Sequence, residues 1–241
     1  MNPTTRAQGR KRDQRVLAHL EALKCLSQEQ IHLLEFWNVS TEMSHRCTKR
    51  LVEDKLIRRV EMKWSDMPDW FYPYDNKRPD QIQHRLGKSW IYVALSMKVL
   101  DSQGTQELIH FKQEERRFFA SNDKFPIPDS YAVIHHKIYG DIYNFCEFQV
   151  LESSNSWNKN YRALFETFAQ DQLLNLIVVT TGPYDKLKTQ LQKELSGMKN
   201  VRLEFYELDK LKEICWKIAL RKREEFREKE RREVIKPLPS H

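Results

Sequence analysis

The chain has 241 residues, 40% of them apolar and 31% charged, with a formal net charge of +7 and a pI near 9.1. That length accommodates two small domains with real cores, the apolar content gives no sign of wholesale disorder, and the basic balance favours an anionic partner. No apolar run approaches the length of a membrane span, and the polar, basic residues 1–11 lack the apolar core of a secretion signal, so a cytoplasmic protein without membrane contact is expected. Cys25, Cys47, Cys146 and Cys215 are scattered without zinc-site spacing or disulfide density, and read as buried free thiols.

In chain order, residues 12–23 place Val16, Leu17, Leu20 and Leu23 on one stripe, which predicts a helix. Ser27 with Gln30 three residues on has the pattern of a capping box, opening a short second helix whose apolar face is Ile31, Leu33 and Leu34. A third helix is predicted over 41–56 after an Asn-Val-Ser turn. There Met43, Cys47 and Leu51 recur every four residues and are expected to pack inward, with His45 and Lys49 opposite and Arg46 and Thr48 on the flanks. Two strands, 57–63 and 70–74, around a Ser-Asp-Met-Pro-Asp turn would complete a winged helix-turn-helix over 12–76. Its third helix has the arrangement of a recognition helix, with packing residues on one side and donors for phosphates and base edges on the other. The expected DNA-contacting residues are His45, Arg46, Lys49, Arg50, Arg58 and Arg59. The first sixty residues hold twelve Lys or Arg against seven Asp or Glu, five of the seven net charges, which favours this reading over a solvated basic bundle or a protein-interaction module. Trp64, Trp70, Phe71, Tyr72 and Tyr74 suit an aromatic wing core or subunit contact at least as well as base stacking.

Residues 74–85 are polar and turn-rich, and a second domain is expected over 84–220. It should contain a helix over 86–100, a strand over 107–112 followed by Glu114 and Glu115, and a strand pair over 130–137 and 142–151 turning at Tyr-Gly-Asp. Helices over 157–168 and 184–195, strands over 174–180 and 201–206, and a last helix from Leu208 then give strands flanked by helices, an α/β layer arrangement.

On the strand after Gly140, Glu147 and Gln149 share one face while Cys146, Phe148 and Val150 turn into packing. With the turn centred on Gly140, Asp129 falls opposite Leu151 on the face of Gln149, so Asp129, Glu147 and Gln149 form one patch. Two convergent carboxylates are what a magnesium- or manganese-dependent phosphodiesterase uses to hold its metal, and Glu115, or less favourably Glu114, would complete the cluster. Gln149 stands where a cation is expected, and Lys159 from the next element is the candidate replacement. The competing reading makes Asp129 a strand-end cap and Glu147 a polar residue satisfied by its neighbours.

His84-Arg85-Leu86, the helix through Ala94-Leu95, a strand ending in the acidic pair Glu114-Glu115, Ile127-Pro128-Asp129 and the strand ending Glu147-Phe148-Gln149, taken in that order, resemble the replication-relaxation family over residues 12–180. The resemblance implies a winged helix joined to a domain similar to the PD-(D/E)xK (restriction-endonuclease-like) fold, in plasmid or mobile-element replication and mobilisation accessory factors. It carries the nuclease motif onto Asp129 and Glu147, whereas Gln149 departs from the usual lysine. A DNA-binding accessory factor with a degenerate nuclease-like domain is therefore expected, with no cofactor needed for binding. The alternatives are a metal-dependent DNA endonuclease, using Asp129, Glu147, Gln149 and Glu115, and a winged-helix transcriptional regulator. Double-stranded DNA is the expected partner, with replication or relaxase proteins and a second copy of the chain as further candidates.

Other motifs are weaker. His135 and His136 are adjacent on a strand and face opposite sides, so they cannot chelate one metal, and Thr181-Gly182-Pro183 lacks the lysine of a phosphate loop. The tail, 221–241, opens with seven basic and four acidic residues over 221–232, broken only by Phe226. Glu225 to Lys229 and Glu228 to Arg232 fit helical i to i+4 pairs, so a solvated extension is expected, with a DNA-tracking arm as the alternative.

Overall fold

A computed structural model of the chain describes residues 3–62, 68–114, 116, 125–150, 157 and 159–234. The fold is mixed α+β, and a three-stranded sheet and a five-stranded sheet organise two lobes.

In the first lobe, α1 (Pro3–Leu23) precedes the two-residue β1 (Leu26–Ser27). Its start lies well before residue 12 because the polar first turns carry no apolar period to read. Next come α2, an α-turn over Gln28–Ile31 that widens into a π-turn over His32–Phe36, and then α3 (Thr41–Glu53), β2 (Ile57–Val60) and β3 (Trp70–Pro73). β3 lies between β1 and β2, antiparallel to both. The capping box is formed as read: Gln30 N donates to Ser27 Oγ at 3.2 Å, and Ser27 N donates to Gln30 Oε1 at 2.9 Å. Val16, Leu20, Leu23, Ile31, Phe36, Cys47, Leu51 and Ile57 make the core.

One packing expectation is corrected. Met43 is 41% exposed, and the buried face of α3 is Ser44, Cys47, Thr48 and Leu51. Gln28 of α2 donates to Ser44 Oγ at 3.1 Å and accepts from Thr48 Oγ1 at 2.8 Å. This polar clamp rotates the inward face away from Met43, and an apolar period cannot reveal it.

The helix α4 (Ile82–Asp101) is shared by both lobes. Leu86 packs with Cys25, Trp70 and Tyr72, Trp90 and Val93 pack with Leu33, and Ile91 and Leu95 pack on the large sheet. Ser89 Oγ donates to Cys25 O at 3.1 Å, and Gln30 Nε2 donates to Leu86 O at 2.8 Å. A helix that is apolar nearly all round is a buried one, and α4 occupies that position.

The large sheet runs β4 (Gln106–Gln113), β5 (Ser130–His136), β6 (Gly140–Gln149), β7 (Leu173–Thr180) and β8 (Val201–Glu207). β4 to β6 pair antiparallel and β6 to β8 parallel, the parallel links crossing through α5 (Tyr161–Phe165) and α6 (Asp185–Glu194). Tyr131, Phe145, Leu176 and Val178 pack under α5 and α6 on one face. Ala132, Cys146, Phe148 and Val179 face α4 and the last helix, α7 (Leu208–Val234), on the other. The predicted alternation of β6 is therefore observed, with Cys146 and Phe148 in the α4 side of the core.

The hairpin register differs from the expected one. Ser130 pairs with Cys146 and His136 with Gly140, so the turn is 137–139 and Asp129 stands level with Glu147, not with Leu151. Gly140, at φ 73°, supplies the positive φ from the first position of β6 rather than from the turn centre. The slip is four residues, an even number, so Asp129 keeps its face. The predicted helix over 157–168 shortens to α5, which Asn160 caps by accepting from Ala163 N at 3.2 Å. Most of the turn expected between β2 and β3, Trp64 included, lies outside the described residues, as does Glu115.

The four cysteines are free and buried. Among the described residues, no helix is long and apolar enough to cross a membrane.

Candidate functional site

The first candidate surface is the outer face of α3. Because Ser44, Cys47, Thr48 and Leu51 are turned inward, helical geometry projects His45, Arg46 and Lys49 outward, and all three are exposed. Arg46 lies 3.8 Å from Glu42 and Lys49 3.9 Å from Glu53, both solvated i to i+4 pairs of the kind worth under about 1 kcal/mol. Phosphate can displace such partners cheaply. The other three expected contacts are held more firmly. Arg50 makes a two-pronged contact with Asp13 of α1 at 2.6 and 2.8 Å, and Cys47 Sγ donates to the same carboxylate. Arg59 bonds Asp69, with Nε at 3.1 Å, and this bond holds the Asp69 carboxyl below its usual range. The Arg58 guanidinium stacks on Tyr74 at 4.4 Å. Between α3 and the small sheet lies an open groove of about 350 Å³ lined by His45, Thr48, Lys49, Arg59, Asp69 and Phe71.

The second candidate site is at the end of the large sheet, where the carboxyl end of β6 meets the segment entering β5. Asp129 Oδ2 accepts from Phe148 N at 2.8 Å, and its Oδ1 lies 3.2 Å from His84 Nε2. Glu147 has no solvent exposure. Lys159 Nζ donates to its Oε2 at 2.5 Å and to Ile127 O at 3.1 Å, while Gln149 Nε2 reaches the same Oε2 at 3.4 Å. The Tyr161 hydroxyl donates to Glu147 Oε1. Asp129, Glu147 and Gln149 thus lie at one end of the sheet, and Lys159 brings a cation to Glu147.

The two carboxyls are tuned in opposite directions. Burial, reinforced by Asp129, pushes Glu147 up to about 8 against the opposing pull of Lys159 and Tyr161. At Asp129 burial also pushes up, but the His84 bond, the Lys159 charge and the Phe148 N–H outweigh it and hold the carboxyl below its usual range. Tyr161 is raised well above its ordinary value by burial and by Glu147.

A divalent cation does not fit this arrangement. Both Glu147 oxygens accept from donors of the chain itself, in a position closed to water, and a metal would have to expel Lys159 or Tyr161. Among the described residues, no group of three or more His, Cys, Asp or Glu is disposed to hold a metal ion. The carboxylate next in sequence to Glu115, that of Glu114, is turned to the buried Lys88 at 2.8 Å, although its backbone N donates to Asp129 O at 3.0 Å.

Three members of this neighbourhood lie outside the patch that strand alternation defines. Tyr161 lies on the helix after the hairpin strands, fourteen residues from Glu147, and His84 lies forty-five residues before its partner Asp129. Lys88 did leave a signal, a single lysine inside the apolar run from Leu86 to Leu95. His135 bonds Asp141 at 2.8 Å on the exposed hairpin, away from any such cluster. No family model matches the chain, and neither the curated proteins nor the solved structures provide a match.

Proposed function

We propose that the protein binds duplex DNA through the outer face of α3, as a replication or mobilisation accessory factor of a plasmid or other mobile element, and that it does not cut the DNA it holds. In this reading the first lobe is a winged helix with β2 and β3 as the wing, and the large sheet is a nuclease-like domain retained for its fold. The supporting observation is the outward set His45, Arg46 and Lys49, in which the ion pairs of Arg46 and Lys49 among the described residues are solvated, on a helix anchored from behind by Gln28 and Asp13. Cations on a rigid helix without firm partners suit phosphate and base-edge contact, while Arg50 serves as an anchor of the helix.

The endonuclease alternative gains Lys159 in place of the lysine missing at position 149, yet its metal-binding glutamate is enclosed and saturated. The accessory role itself rests on the family resemblance. A transcriptional regulator would use the same face and differ in its target sites. Binding of a mixed-sequence duplex, measured against salt for the full chain and for Arg46→Ala and Lys49→Ala, tests the reading. Weakened binding with a shallower salt slope in Lys49→Ala is expected. Unchanged binding in both variants would refute the assignment of the surface.

A further inference from the structure

The last helix, α7, is not confined to the large sheet. Its Trp216 donates to Glu29 of α2 through the indole N–H and stacks on His32 at 5.4 Å, and ten residues later Phe226 meets Trp37 edge-on at 6.3 Å. Contacts advance together along both segments, from 29 to 37 and from 216 to 226, so α7 runs alongside α2 in the same direction. It continues eight residues past Phe226, about 12 Å at helical rise, beyond the turn that leads into α3.

Six of the seven cations over 221–232 fall into two sets. Arg221 and Lys222 pair with Asp101, Lys222 also with Glu225 at 2.9 Å, and Arg232 lies 3.8 Å from Glu228. Arg223, Arg227 and Arg231 have no ion pair among the described residues. They are spaced by four, which turns each only about 40° from the last, and Arg223 lies two helical turns above Trp216, so the stripe continues the side that touches α2. Glu224 and Glu230 flank it, each about 60° from Arg227, whereas Glu225 and Glu228 fall on other sides of the helix. Burial first, then the nearby charges of Arg223 and His45, lower the His32 imidazole to about 4.

We infer that Arg223, Arg227 and Arg231 form a second phosphate-contacting surface, extending past the amino-terminal end of α3 the duplex footprint that α3 begins. The inference rests on the proposed DNA-binding role and adds a separate element to it. Three unpaired arginines at one-turn spacing match a run of backbone phosphates in charge and contribute no base reading, so they should strengthen binding on all sequences alike.

The test uses the full chain and a long mixed-sequence duplex. Arg223, Arg227 and Arg231 are changed together to glutamine, Arg227 and Arg231 alone form a second variant that avoids the half-buried Arg223, and a charge-matched control carries Lys186→Gln, Lys188→Gln and Lys193→Gln on α6. The triple variant is expected to bind about tenfold to a hundredfold more weakly at 0.1 M salt, with the slope of log K against log salt reduced by about 2.7. The double variant should lose about 1.8 from the slope, and the control should match wild type. Thermal melts that coincide with wild type identify the loss as one of contact. Stripe variants that behave like the control, while Lys49→Ala still weakens binding, would overturn this inference and leave α3 as the binding face. Absence of salt-dependent binding by wild type would overturn the underlying reading and the inference with it.

Discussion

Replacing Glu147 by glutamine isolates the most perturbed carboxyl of the sheet-end cluster. Glutamine keeps the shape and an oxygen to accept from Tyr161, and Lys159, 27% exposed and still bonded to Ile127 O, can turn toward water. In the wild type Glu147 stands at about 8 against an ordinary 4.5, so its folded-state value is raised. A raised value means that the stabilisation is complete below the unfolded-state pKa and is lost as pH climbs through the folded one, here between about pH 4.5 and 8. The steepest loss for one proton is about 1.4 kcal/mol per pH unit, which sets a ceiling of about 5 kcal/mol across that window. Other groups cancel in the comparison of variant with wild type. Urea unfolding at a series of pH values should therefore show Glu147→Gln gaining on wild type by several kcal/mol between pH 5 and pH 8. A difference that stays flat over this range would refute the reasoning, because it would mean that Glu147 ionises as a solvated carboxyl does.

Gly87→Ala should destabilise the fold by about 1–3 kcal/mol in the same assay, because a Cβ there would stand 2.2 Å from the ring of the buried Phe148, and the roughly 1 kcal/mol gained in helix propensity cannot compensate. Phe226→Ala should cost about 0.5–1.5 kcal/mol through loss of its edge contact with Trp37, and a melt identical to wild type would show that α7 is unanchored at that point. Supercoiled plasmid incubated with the wild-type protein and magnesium or manganese should remain uncut, and nicking that disappears in Asp129→Ala would reverse the reading of the sheet-end site.

The elements legible in the sequence are those whose burial follows a simple period. β6 alternates, although it runs two residues earlier than expected, β7 is a buried apolar run, and the Ser27 to Gln30 box needs only local chemistry, so the character of all three follows from the residues. The failures have a common physical source in contacts between distant residues. Gln28 clamps Ser44 and Thr48 and so displaces Met43 from the core, and the hairpin register depends on which residues form the turn rather than on the glycine alone. The charged run of α7 reads as wholly solvated, yet Lys222 is buried beside Asp101 and Phe226 reaches Trp37, because a neighbouring lobe lies alongside the helix. At the sheet end the facing of Asp129, Glu147 and Gln149 follows from strand geometry, and Lys159 stands out as a nearby cation. Tyr161 and His84 join only through the tertiary fold, and with them comes the enclosure of Glu147 that argues against a metal site.

If the outward cations of α3 hold duplex DNA, they must release counterions on binding. The most direct measurement is the salt dependence of duplex binding by wild type beside Lys49→Ala. The account predicts log K falling linearly with log salt in wild type, with the slope reduced by about 1 and affinity lowered on all sequences in Lys49→Ala. Salt-insensitive binding, or a variant that superimposes on wild type at every salt concentration, would contradict it.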